Sequence, residues 1–365
     1  MTADQPAMAI WDRVVGQERA VMSLQRAAER PSHAYLLVGP RGSGAEEAAR
    51  CFAAALVAAD GDDRSVDLVL RGMHPDVIEI DPPANQIRIE DAQAIVDEVY
   101  RSPVEGARKV LLVFDAERLN DVAANRLLKT LEEPPPSACI VLVTAGADQL
   151  FATIRSRCQR IDFGSLDAST IARALEPTGA SADRIALLAR LAGGRLDRAR
   201  ALAGRVGIVR DAFVTAAASL DGLGGAVAEQ CDRVEDAMEQ ALADLEAAQA
   251  AEVAELAAEL ERGGYDPRAA SARRKRMEER QRREHRRARF VLIVEGITAL
   301  ESVYRDVLAG PNASPLNADR PRVDVDPRAA AHAIDACRDA RQAFEFNPNE
   351  GLLLERLLFH LPAAR

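Results

Sequence analysis

The sequence predicts an α/β domain built on a largely parallel sheet, followed by an all-α region. Three observations predict it. Short apolar runs alternate with segments of helical periodicity as far as residue 163. From Ser165 onward the pattern is helical throughout. Of 365 residues, 48% are hydrophobic but only 4% aromatic, so cores are assembled from Ala, Leu, Val and Ile, which suits helix packing.

Residues 16–30 place Ala20, Val21, Leu24, Ala27 and Ala28 on one face of an amphipathic helix. His33 to Val38 is a short apolar run that stops at Gly-Pro-Arg-Gly-Ser-Gly, and Ala45 to Ala59 returns to helical spacing, giving strand, glycine turn and helix. Further strands are expected at Asp76–Ile80, Val110–Phe114, Ile140–Val143 and Arg160–Phe163. Helical segments between most of them imply parallel pairing under helices on both faces.

Between Ser165 and about Val206, short helices are broken at Pro177-Thr178-Gly179 and Gly193-Gly194. Residues 225–262 then repeat Val227, Cys231, Val234, Met238, Ala241 and Leu245 at spacings of four and three, a coiled-coil seam. Gly263-Gly264 and Pro267 end that acidic helix, and a basic tract from Ser271 to Arg289 leads into an apolar helix. Antiparallel pairing would set opposite charges against each other, so a helical hairpin is expected. Two amphipathic helices joined at Phe-Asn-Pro-Asn-Glu-Gly occupy residues 329–360. The resulting boundaries are 1–164 for the sheet domain, 165–207 for a small helical domain, and 208–365 for a larger helical domain with its arm at 225–290.

Composition also excludes some functions. A net charge of -10 argues against a uniformly basic nucleic-acid surface. The N-terminal stretch has no basic segment followed by an apolar one, and no run reaches the roughly 18 apolar residues that span a bilayer, so a cytoplasmic protein without a membrane partner is expected. The five cysteines are far apart and form no CxxC pair, which fits reduced thiols better than a disulfide framework or a zinc module.

The chemistry concentrates at two places. A phosphate-binding loop needs glycines that let backbone N–H groups wrap the phosphates, a Lys for the β and γ phosphates, and a hydroxyl for magnesium. Here Gly39, Gly42 and Gly44 are present, but Ala45 stands at the Lys position and Glu46 at the hydroxyl position. The loop reads as an inherited turn, with weak nucleotide binding and hydrolysis as the alternatives. Asp115 ends a strand where a magnesium-holding acid would sit, yet Ala116 follows in place of a catalytic Glu. A strand-end residue capping the next helix is the simpler reading.

The second place is Ser156-Arg157-Cys158. An arginine on a projecting turn can stabilise charge on a phosphoryl group held by another subunit, although a lone helix-end Arg is more often solvated or salt-bridged. In the basic tract, Arg273, Arg274, Lys275 and Arg276 could bind DNA phosphates without sequence preference. Pairing with the acidic arm is the reading that the neighbouring helix favours.

The order and spacing of Asn125, Leu127-Leu128-Lys129, Glu132-Glu133-Pro134-Pro135 and Ser156-Arg157-Cys158 resemble the clamp-loader branch of AAA+ proteins, specifically that of bacterial DNA polymerase III. Weaker similarity runs from Val15-Gly16-Gln17 through His74-Pro75-Asp76 to Tyr304-Arg305-Asp306. The resemblance implies a RecA-like AAA+ module with a degenerate loop, a small helical lid, and a helical collar that joins five subunits into a ring. It further implies a non-catalytic subunit whose Arg157 completes a neighbour's ATP site, with Ser156 and Cys158 shaping the turn. The implied partners are the motor (gamma/tau) and delta subunits, with the sliding clamp and primer-template DNA met indirectly.

Two positions depart from the family pattern. Many members carry a four-cysteine zinc module, but residues 52–74 contain no cysteine, and Cys51 with His74 supplies only two candidate ligands. Neither zinc nor ATP is therefore expected as a cofactor. The lid arginine of motor subunits falls nearest Asp197, with Arg198 beside it. The alternatives are a motor subunit using its own ATP site, or a DNA-binding scaffold outside any clamp loader.

Overall fold

A computed structural model describes residues 10–59, 62–80, 100–119, 121–262, 267–344 and 349–363; the sequence features at residues 1–9, Gly263-Gly264 and 345–348 lie outside them, as does the side chain of Arg276. The chain divides into two compact units, Met1–Gly179 with Ala192–Arg198, and Ala180–Leu191 with Ala199–Arg365.

The first unit is built on five strands, β1 (Ala34–Val38), β2 (Val77–Ile80), β3 (Lys109–Val113), β4 (Ala138–Thr144) and β5 (Gln159–Asp162), in the order β2-β3-β4-β1-β5. Each pairing is parallel, with Leu36 opposite Leu142 and Leu111 opposite Ile140. This is the parallel sheet that the strand and helix alternation predicts. Because side chains alternate across a strand, Tyr35, Leu37, Leu112, Val141 and Val143 pack on one face with α1 (Glu18–Glu29) and α2 (Ala45–Val57). Leu36, Leu111, Val113, Ile140 and Leu142 pack on the other with α3 (Asp121–Glu132) and α4 (Ala152–Arg155). Both faces being covered explains why β1, β3 and β4 are almost continuously apolar.

Two polar anchors support this sheet. The buried Asp76 carboxylate, just before β2, accepts hydrogen bonds from the backbone N–H groups of Val104, Glu105 and Gly106 at 2.6, 2.8 and 2.7 Å. Burial pushes this carboxyl up, but the three donors outweigh it and hold it below its ordinary value. Arg50 on α2 makes two 3.0 Å hydrogen bonds to Glu79 and stacks 4.7 Å over the Phe114 ring.

The second unit is all helical. Its main elements are α5 (Arg205–Ser219), α6 (Gly224–Arg262), α7 (Pro267–Leu308), α8 (Pro327–Phe344) and α9 (Glu350–Phe359). Helix α7 approaches α5 so closely that a Cβ on Gly296 would lie 2.3 Å from the Phe213 ring, which fixes glycine there. Arg210, also on α5 and with its side chain 1% exposed, donates to both oxygens of Asp319 at 3.0 Å and to Asn317 at 2.7 Å.

The long hairpin expected from charge patterning is present. Helices α6 and α7 run antiparallel, pairing Glu252 with Arg280, Glu246 with His285 and Glu235 with Arg289. Val227, Val234, Met238 and Ala241 of the seam are buried, while Cys231 and Leu245 are half-buried.

Candidate functional site

The carboxyl ends of β1, β3 and β4 converge on one edge of the sheet, the place where open α/β sheets bind ligands. The glycine turn leaves β1 with the Gly39 N–H donating to the Thr144 carbonyl at 3.0 Å. A Cβ on Gly39 would lie 2.6 Å from Cβ of Phe163, so only glycine passes there. Gly42 and Gly44 have φ of 72° and 96°, and Gly44 precedes the first residue of α2. The Gln17 amide braces the turn from behind, donating to the carbonyls of Ser43 at 2.9 Å and Gly164 at 2.7 Å. The scaffold of a phosphate loop is therefore intact.

Its chemistry is not. Ala45 is buried, so no cation projects from that position. Asp115, the acid at the strand end, pairs with Arg41 of the glycine turn at 2.5 Å and lies 3.7 Å from the Arg118 guanidinium. Its backbone adopts φ 48°, a left-handed conformation that Asp tolerates better than most residues. The capping expectation is corrected here. The Asp115 carbonyl accepts from the Arg118 N–H at 2.8 Å, but its carboxylate makes no cap to the short turn Ala116–Arg118, because it faces Arg41 across the sheet edge. Glu117 accepts a 2.6 Å hydrogen bond from the Thr144 hydroxyl at the end of β4.

Asp197 stands over the loop. A Cβ on Gly42 would meet its Oδ1 at 1.8 Å, and the Leu196 N–H donates to the Gly42 carbonyl at 3.1 Å. Burial pushes the Asp197 carboxyl up, but the Arg195 guanidinium, 2.7 Å away, outweighs this and holds it below the usual carboxylate range. The loop thus faces an ionised carboxylate where a nucleotide would present phosphates of the same sign. Asp115 is meanwhile engaged by arginine. These residues do not fit a magnesium nucleotide.

At the far side of the domain, α4 ends at Arg155 and a tight turn delivers Ser156, Arg157 and Cys158. Ser156 Oγ donates to the Thr153 carbonyl at 3.1 Å. Arg157 donates to the same carbonyl at 3.0 Å and to the Glu132 carboxylate at 2.7 Å, leaving its side chain 36% exposed. Cys158 packs against the core beneath, and burial pushes its thiol up to about 12, so it is a packing residue rather than a nucleophile. The turn fixes the base of the arginine and leaves its head at the surface.

In the basic tract, Arg274 and Lys275 are exposed and Arg273 is engaged in an interaction. The residues that sequence reading missed are partners: Arg41 for Asp115, Glu132 for Arg157, and Gln17 for the loop backbone. Each contact joins distant parts of the chain, so no local pattern signals it.

Comparison with known proteins gives the class first. Residues 16–167 match the family described as DNA polymerase III, delta subunit. Over this stretch the chain is similar to the clamp-loader family of DNA polymerase III subunits. The particular relatives include DNA polymerase III subunit tau of Bacillus subtilis, 37% identical over 44% of this chain and 30% of the relative. Subunit delta' of Pseudomonas aeruginosa is 33% identical over 47% of this chain and 56% of the relative. The chain therefore spans between about a quarter and about half the length of the curated relatives it matches. A gamma subunit-related protein of Thermotoga maritima aligns over 93% of this chain and 98% of its own, at 19% identity and a TM-score of 0.42.

Proposed function

We propose that this chain acts as a delta'-type stator of the DNA polymerase III clamp loader: a subunit that turns over no ATP of its own and presents Arg157 to the nucleotide of a neighbouring gamma/tau motor. In this role its helical second unit joins it to the motor and delta subunits in a five-membered cytoplasmic ring. That ring loads the sliding clamp onto primed DNA.

The observation that carries this reading is a contrast within one domain. The chain's own glycine loop is opposed by Asp197 and its strand-end acid is tied to Arg41, while Arg157 sits on an ordered turn with its guanidinium at the surface. A stator needs that combination, since an arginine supplied in trans must be positioned but accessible. Relatives named tau and gamma are as similar as those named delta', so the choice among these subunits rests on the loop chemistry at Ala45, Glu46 and Ala116. Neither zinc nor bound nucleotide is needed for the role.

The test is reconstitution with motor and delta subunits. Arg157→Ala assembles normally and lowers the complex's DNA-stimulated ATPase; an unchanged rate rejects the trans role. Calorimetric titration of the isolated chain with ATP gives no saturable binding, and a micromolar dissociation constant would support the motor reading instead.

A further inference from the structure

Helix α9 is apolar on two opposite faces. Leu354, Leu357 and Leu358 are buried where it packs on α6 and α8. On the other side Leu352 and Phe359, one heptad apart, are 64% and 65% exposed. At about 100° per residue, Leu352, Glu355, Arg356 and Phe359 share one stripe about 100° wide, turned away from the buried leucines. A helix that is apolar all round is ordinarily covered all round, yet among the described residues nothing covers this second face.

Glu355 and Arg356, at the centre of the stripe, are exposed, and neither has an ion-pair partner among the described residues. Exposed apolar side chains flank both ends. Phe290 and Val291 follow Arg289, which is bonded to Glu350 at the start of α9. Leu223 follows Gly222, where an added Cβ would lie 3.6 Å from Ala363, just past the end of α9.

We infer that this stripe pairs with the same stripe of a second copy of the chain, the two α9 helices lying antiparallel about a twofold axis. The order of the residues selects this occupant. An axis midway between Glu355 and Arg356 sets Leu352 opposite the partner's Phe359 and Glu355 opposite the partner's Arg356. Each apolar side chain then meets an apolar one and each charge meets its opposite. The same rotation brings the Phe290 end of one copy to the Leu223 end of the other. Parallel pairing would instead set Glu355 against Glu355 and Arg356 against Arg356. A ring junction joins two different surfaces, whereas this stripe is complementary to itself, so the pairing is a state of the chain distinct from membership of a ring.

This inference concerns the isolated chain and does not depend on Arg157, so it can fail while the stator reading stands, and the reverse. The experiment is sedimentation equilibrium of the full chain between about 1 and about 200 µM, the range in which small interfaces associate. The parent chain passes from monomer to dimer across it. Phe359→Ala keeps its melting temperature, since the ring is largely exposed, and weakens the dimer about tenfold or more. Glu355→Arg alone and Arg356→Glu alone each set like charges together twice per dimer and weaken it by a similar factor at low salt. Both substitutions in one chain restore the dimer, and an equal mixture of the two single variants forms the mixed dimer in preference to either self-pair.

Three results overturn the inference. One is a chain that stays monomeric throughout the range. Another is a dimer that Phe359→Ala leaves intact, which would place the contact on a different surface. The third is a doubly substituted chain that dimerises no better than the single variants, which would rule out the antiparallel register.

Discussion

Arg157 and Glu132 form an ion pair in which Nη2 donates to Oε1 across 2.7 Å, with the two side chains 36% and 51% exposed. Glu132 ends α3 and Arg157 follows α4, so the pair parks the guanidinium between two helix ends. An exposed pair of this kind contributes about 0 to 1 kcal/mol, far less than a phosphoryl oxygen can offer the same guanidinium in a dry site. The arginine is held in place without being held back.

Glu132→Gln is therefore expected to change folding stability by less than about 1 kcal/mol in urea titration. It should leave the ATPase rate of a reconstituted complex undiminished. A marked loss of turnover would mean that Glu132 orients the arginine in the working complex rather than only parking it.

Asp76 is expected to matter far more for folding. Replacing it by Ala leaves three N–H groups of the 104–106 segment without their acceptor, a loss of about 1 to 3 kcal/mol. Its carboxyl is held below the ordinary value, so the stabilisation is complete above the unfolded carboxylate range and is lost as pH falls through the lower folded value. Amide exchange at Val104, Glu105 and Gly106, measured relative to the rest of the sheet, reads this directly: protection persists at pH 5 and disappears in stronger acid.

Arg210 gives the corresponding test in the helical unit. It is fully buried, but its ion-pair partners Asp319 and Asp211 are partly exposed, whereas Asn317, to which it donates at 2.7 Å, is buried. Arg210→Ala should cost about 1 to 3 kcal/mol by chemical denaturation, the cost of leaving the buried Asn317 acceptor without its donor. A loss below about 1 kcal/mol would mean that water takes over the Asn317 contact.

The loop makes a prediction about failed repair. Restoring a lysine and a hydroxyl with Ala45→Lys and Glu46→Thr supplies the two missing groups, but Asp115 stays paired with Arg41 and Asp197 stays over Gly42. The double variant should show no saturable ATP binding by calorimetry. Tight binding would show that the two substitutions alone silence the loop.

The fold was legible because its strongest signals are local. Strands β1, β3 and β4 are buried on both faces and read as apolar runs, with ends within two residues of expectation. The hairpin was legible from Val227, Val234, Met238 and Ala241, which recur at the seam spacing, and from the opposed charges of its two arms. What was not legible depends on long-range meetings. Asp115 looked like a helix cap because capping is a local rule, but Arg41, 74 residues earlier, takes its carboxylate. Gln17 reaches Gly164 across 147 residues, and a buried Arg210 contradicts the expectation that arginine lies at the surface. Ser156-Arg157-Cys158 could be singled out, but its anchorage to Thr153 and Glu132 could not.

The central claim, that Arg157 acts on a neighbour's nucleotide, is tested most directly by the DNA-stimulated ATPase of a reconstituted complex carrying Arg157→Lys. Lysine keeps the charge but loses the planar fork that grips phosphoryl oxygens in two places. The account predicts an assembled complex whose rate falls as far as it does with Arg157→Ala. A rate equal to that of the parent complex would contradict it.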